Sequence, residues 1–182
     1  MQDKVILVTG STDGIGKQTA LELARTGATV LLHGRSPERG QQALEAVRAL
    51  SGNSRLDLFI ADLSSQKQVR RLAAEVSAKY DRLHVLINNA GTFMPQLTLT
   101  EDGLETTFAV NHLAPFLLTR LLLDRLKQSA PARVITVSST LHQRAQVDFN
   151  NLQGDKHYSP NYAYNRRCCM NIDPKRIHPS AG

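Results

Sequence analysis

A chain of 182 residues, 41% of them apolar and 21% charged, has enough material for the core of one globular domain and too much apolar content for a disordered segment. No apolar run approaches the ~20 residues that cross a bilayer, and the opening Met1 to Lys4 lacks the apolar stretch of a signal peptide, so a soluble, cytoplasmic protein is expected. The net charge of +6 gathers partly near the carboxyl end, where Arg166, Arg167, Lys175 and Arg176 stand against Asp173 alone. With no interleaved aromatics there, a solvated basic tail is expected and nucleic acid is not the expected partner.

The first element, Val5 to Val8, is a buried-type strand that runs into the turn TGSTDGIG, Thr9 to Gly16, and then into a helix over about 15–26. Glycines at 10, 14 and 16 remove the Cβ atoms that would keep a backbone from a pyrophosphate, and the amide groups at the helix start supply donors and the positive end of a dipole. Ser11, Thr12, Asp13 and Ile15 complete this candidate phosphate cradle. Its spacing is G-x-x-x-G-x-G, not the G-x-G-x-x-G of the dinucleotide fingerprint, and taken alone it also reads as an ordinary glycine-rich turn.

A second strand over 28–32 leads into LHGRS, Leu32 to Ser36, where Ser36 followed by Pro37 starts a helix over 37–50. A third strand, 56–60, precedes Asp62 and Leu63 and a helix over 65–80 capped by Ser64 or Ser65. The fourth, 83–87, ends in the small and amide residues Asn88, Asn89, Ala90 and Gly91. One helix is expected over 102–128 and a fifth strand over 133–137. Strands alternating with helices predict βαβ units and a parallel sheet with helices on both faces. After Tyr164 the pattern stops: residues 165–182 show no helical stripe, and they are expected to form an irregular tail beside a domain of residues 1–164. Cys168 and Cys169 are adjacent and have no second pair, which points to reduced thiols and no metal site.

The turn at 9–16, the run LHVLINNAG from Leu83 to Gly91 and RVITVSS from Arg133 to Ser139 together resemble the short-chain dehydrogenase/reductase family. The stretch from Ala132 through Asn151–Lys156 to Ala163 and Tyr164 is most similar to its retinol dehydrogenase and X-linked dehydrogenase/reductase branch. The resemblance covers about Lys4 to Tyr164. It implies a Rossmann-type three-layer α/β/α fold with strand order 3-2-1-4-5, and hydride transfer between a nicotinamide and a hydrophobic alcohol, aldehyde or ketone. It also implies homo-oligomers through the fourth helix and the helix after the catalytic tyrosine, leaving Leu113, Phe116, Leu117, Leu121 and Leu122 uncovered without them. By resemblance Tyr164 is the acid/base group, Ser139 orients the substrate oxygen and Asn111 holds a water-linked relay. Asn88, Ala90 and Gly91 line the ribose and nicotinamide, and Asp62 and Leu63 contact the adenine.

Two departures matter. The lysine that the family places four residues after the tyrosine is Cys168 here, so neither the cation that favours phenolate nor the ribose clamp is present, and low or absent turnover is expected. Tyr162 with Arg166 is the remaining stand-in pair. The family's sixth strand and its later helix and strand are not recognisable, which reads as a truncated, frame-shifted or replaced carboxyl end; the alternative to an active enzyme is a cofactor-binding remnant or interaction protein. Pro115, four residues after Asn111, removes the N–H that would bond the Asn111 carbonyl, leaving either a relay site or a plain kink. Because Leu32 to Ser36 lacks an acidic residue to bind a 2′-hydroxyl, while Arg35 and Ser36 can hold a phosphate, NADP(H) is expected over NAD(H), although Asp13 stands where some NADP-preferring relatives carry a basic residue.

Overall fold

The computed structural model describes residues 1–144 and 147–172. Five parallel strands, β1 (Val5–Val8), β2 (Thr29–Gly34), β3 (Leu56–Ile60), β4 (Val85–Asn88) and β5 (Arg133–Thr136), lie in the order β3-β2-β1-β4-β5. The register pairs Leu7 with Leu31 on one side and with Leu86 on the other. Both faces of the central strands are buried, which is why they read as continuous apolar runs. Ile6, Val8, Val30 and Leu32 point into one core layer against α1 (Gly14–Arg25) and α2 (Pro37–Ser51). Leu7, Leu31 and Leu86 point into the other, against α3 (Gln66–Lys79) and the helices that follow β4.

Ser36 caps α2 by accepting from Arg39 N at 3.3 Å, with Pro37 at its first position and Gly52 ending it at φ +67°. Ser65, not Ser64, caps α3. The single helix expected over 102–128 is instead broken into α4 (Thr106–Phe108), a π-helical turn (Ala109–Leu113), α5 (Ala114–Leu121) and α6 (Leu123–Gln128). Gly103, at φ +72°, belongs to a turn, and the fully buried Glu105 starts the helical run, its carboxylate accepting from Thr107 N and Phe108 N at 2.7 Å each. The π-turn sits where Pro115 withholds a donor. Leu122, at φ −93° and ψ 2°, separates α5 from α6.

Two expectations need correction. Residues 165–172 are not irregular: they continue α7 (Pro160–Ile172), which packs on the 3₁₀ turn Thr140–Arg144, on α4 and on the π-turn. Helix α7 has a weak apolar stripe because its buried positions include an arginine, Arg166. The rest of the tail, with Asp173, Lys175 and Arg176, lies outside the described residues. Leu122 is not an uncovered face residue either but a fully buried one, whereas Phe116 and Leu121 of the adjoining α5 are exposed.

Candidate active site

A cavity of about 700 Å³ opens at the carboxyl ends of β1 to β4, where an open parallel sheet places its ligands. Of the residues singled out in the sequence, Gly10, Thr12, Asp13, Ile15, Gly16, Arg35, Asp62, Leu63, Ala90 and Gly91 line it. The glycines are required by geometry. Gly10 sits at φ +64°, and a Cβ there would lie 2.7 Å from Ala90 Cα; at Gly16 it would lie 2.2 Å from Gly10 O. Gly14, at φ +52°, has nothing within 4 Å of a Cβ position, so its strain is conformational only. A cradle that side chains would fill, opening on a cavity of this size, fits a dinucleotide.

Asp13 is the N-cap of α1, its Oδ1 accepting from Gly14 N at 2.8 Å, while Oδ2 pairs with Arg39 at 3.1 Å. The negative charge that stood against an NADP-type ligand is therefore partnered. Ser11 is fully buried and hydrogen-bonds the backbone of His33, so it braces the turn from behind. Ser36 spends its oxygen on the α2 cap, and neither it, Ser11 nor Gly14 lines the cavity. Asn88 is buried behind it, with Nδ2 donating to Thr119 Oγ1 at 3.2 Å.

His33 carries a role that the sequence did not disclose. Its Nδ1 accepts from Gly10 N at 3.2 Å, which leaves Nε2–H to donate to Ala61 O at 3.1 Å. One neutral imidazole thereby ties the glycine turn to the end of β3. Burial lowers its pKa to about 4, partly offset by the Ala61 hydrogen bond and by Asp62. Asn89 is a second such residue. Its Nδ2 donates to Thr9 O and Gly10 O at 2.9 and 3.1 Å, and the Thr9 hydroxyl oxygen accepts from Asn89 N and Ala90 N. The available signal was the paired amide of Asn88-Asn89, only one of which faces the turn.

A smaller cavity of about 80 Å³ adjoins Gly91 and brings together Asn111, Tyr164, Cys168 and Ser138. Ser139 does not line it; its oxygen accepts from Leu141 N at 3.3 Å, while Ser138 Oγ donates to Cys168 O at 3.3 Å. The Asn111 side chain clamps Thr92, accepting from its N–H at 2.7 Å and donating to its carbonyl at 2.9 Å. The Asn111 carbonyl, freed of its helical partner by Pro115, accepts from Asn171 Nδ2 at 3.0 Å, and Asn171 Oδ1 lies 2.7 Å from His112 Nδ1. Phe93 meets the Tyr164 ring edge-on at 6.0 Å. Cys168 is buried. Arg166 does not approach Tyr164's cavity: it donates to Asn151 O and Leu152 O at 2.7 Å each and lies over the rings of Phe108 and Tyr162. Tyr162 accepts from Asp148 N, so the stand-in pair is a packing and anchoring arrangement.

The short chain dehydrogenase family profile matches residues 4–151. The chain belongs to the short chain dehydrogenase family. It is 46% identical to retinol dehydrogenase 12 of Mus musculus over 169 residues, spanning 93% of this chain and 54% of that one. Against polyprenol dehydrogenase of Homo sapiens the identity is 42% over 166 residues, 89% of this chain and 50% of the relative. A short chain dehydrogenase from Escherichia coli CFT073, solved complexed with NADPH, superposes with a TM-score of 0.74 at 30% identity, over 94% of this chain and 68% of that one. The chain spans about half the length of the curated relatives it matches. Its identity to the retinol dehydrogenases places this short chain dehydrogenase in the retinol dehydrogenase-like branch of oxidoreductases, and a solved relative with the same fold holds a nicotinamide cofactor.

Proposed function

We propose that this chain binds NADP(H) in preference to NAD(H) and interconverts a hydrophobic alcohol and its carbonyl, with turnover held down by the thiol at position 168. The observation that carries the reading is Arg35 on the wall of the large cavity beside an Asp13 whose charge is taken by Arg39. A guanidinium pairs with a 2′-phosphate through two parallel hydrogen bonds, and the carboxylate of the glycine turn, Asp13, is already paired with Arg39. The backbone of the glycine turn would hold the pyrophosphate, Asp62 and Leu63 the adenine, and Ala90 and Gly91 the nicotinamide side. Bound there, the nicotinamide supplies the hydride donor or acceptor.

Tyr164 would move a proton at the substrate oxygen, and the serine that shares its cavity to orient that oxygen is Ser138. A phenol with an ordinary pKa near 10 is a poor base at neutral pH unless a cation stands beside it. Cys168 supplies none. The names of the relatives, a retinol and a polyprenol dehydrogenase, support an apolar substrate, as does the exposed apolar rim of Phe93, Leu97 and Leu99 beside the cavity.

Fluorescence titration of NADPH and NADH, followed by NADPH oxidation against a panel of long-chain aldehydes and ketones, tests this. Tighter binding of NADPH and a rise in turnover of about a hundredfold in Cys168→Lys are expected, of the order a positioned acid/base group supplies. Equal affinity for the two cofactors, or no gain from the lysine, overturns it.

A further inference from the structure

The 80 Å³ cavity beside Tyr164 has the makings of a binding site in its own right. Asn88 lines it and is only 3% exposed. The amide nitrogen of Asn88 is spent on Thr119, which lies outside this cavity, and Oδ1 on the other branch of the same amide has no hydrogen-bond partner among the described residues. A buried carbonyl oxygen without a donor costs on the order of 1–3 kcal/mol, and it marks where a donor is wanted. Ser138 and Tyr164, both of which carry hydroxyl oxygens, line the same space, as does Cys168. Among the described residues no lysine or arginine lines it. Its volume exceeds the ~30 Å³ share of a single water and suits an ion with one carbon.

We propose that this cavity is a receptor for a small primary ammonium ion, of the class of methylammonium, which donates to Asn88 Oδ1 and stands beside the Tyr164 ring. Three N–H donors on a compact cation meet the orphaned acceptor and the neighbouring hydroxyl oxygens, which an aprotic cation cannot do. An ion seated there also puts positive charge next to the phenol, so occupancy favours phenolate. The second consequence rests on the reading of Tyr164 as the acid/base group; the first does not.

The test is thermal unfolding of the whole chain without cofactor, titrated with methylammonium chloride against tetramethylammonium and potassium chloride at equal concentration. A saturable rise in Tm of about 3–6 °C at tenfold excess over Kd is expected with methylammonium alone. Cys168→Lys, which carries its own ammonium into the cavity, and Cys168→Met, which fills it, are both expected to lose the response. In the same samples methylammonium is expected to raise NADPH-dependent carbonyl reduction by the wild-type chain about tenfold and to leave Cys168→Lys unchanged. Stabilisation without a gain in rate supports the ion site and removes Tyr164 as the acid/base group. No stabilisation, an equal response to potassium or tetramethylammonium, or an undiminished response in Cys168→Lys overturns the site.

Discussion

His33 shows how much one buried side chain can hold. Its neutral ring accepts from Gly10 N and donates to Ala61 O, so the phosphate-facing turn and the end of β3 share one imidazole. In the unfolded chain that ring titrates near 6.5, and in the folded chain at about 4. Between those values the unfolded state binds a proton that the folded state refuses. Stability is therefore full above about pH 6.5 and falls as the pH drops through the window, by up to about 3 kcal/mol. In His33→Gln the acid-side slope of Tm against pH should flatten between 6.5 and 4. The residue of the slope belongs to His84, which accepts from Val5 N and is also pushed down by burial. An unchanged slope in His33→Gln would show that the ring is protonated or solvated. Gly16→Ala should abolish NADPH binding while the chain still folds, because the new Cβ would sit 2.2 Å from Gly10 O and 2.3 Å from Asn89 Nδ2 and push the turn into the cradle. Unaltered affinity in a titration of that variant would mean that the turn does not hold the phosphates.

The element that the sequence disguised most is α7. Its first turns pack through Ala163, Arg166 and Cys168, a pattern with a charge at the centre of the buried face, so no apolar periodicity announces it. The arginine is tolerated because Asn151 O and Leu152 O take its donors and two aromatic rings lie beneath it. Pro115 could be read from the sequence as freeing the Asn111 carbonyl, but not the donor that would claim it. Asn171 is sixty positions away, and only the fold brings the two together. By contrast the five strands and first three helices were legible, since each carries its own period, cap or glycine. Only the helix over 102–128 broke that rule, at the π-turn before Pro115 and at Leu122. In Asn171→Ala the Asn111 carbonyl loses its donor, at a cost of about 1–3 kcal/mol, concentrated in the docking of α7. Limited proteolysis should then cut within 160–172 at least several times faster than in the wild-type chain. If cleavage there is unaffected, α7 is held by its buried Ala163, Arg166 and Cys168 without help from the Asn171 bond.

At the scale of the whole molecule, the order β3-β2-β1-β4-β5 leaves β5 at an edge of the sheet. An edge strand presents unpaired backbone donors and acceptors, and proteins usually blunt it with charge, proline or a bulge. Here Val134, Ile135 and Val137 are each more than 40% exposed, with Phe116 on the neighbouring helix at 63%. Arg133 is the sole charge in the strand. A strand that is apolar on both faces is typical of the interior of a parallel sheet, and among the described residues β5 stands at the boundary. Self-association through this edge is the expected behaviour in isolation. A lysine at Ile135 would set a charge in the middle of that edge, beside Ile87 of β4 and away from the large cavity. Light scattering on concentrating the protein should show the wild-type chain forming soluble aggregates and Ile135→Lys remaining largely monodisperse, with NADPH affinity preserved. If both aggregate alike, the association runs through the exposed face of Phe116 and Leu121, and the matching variant is Phe116→Lys.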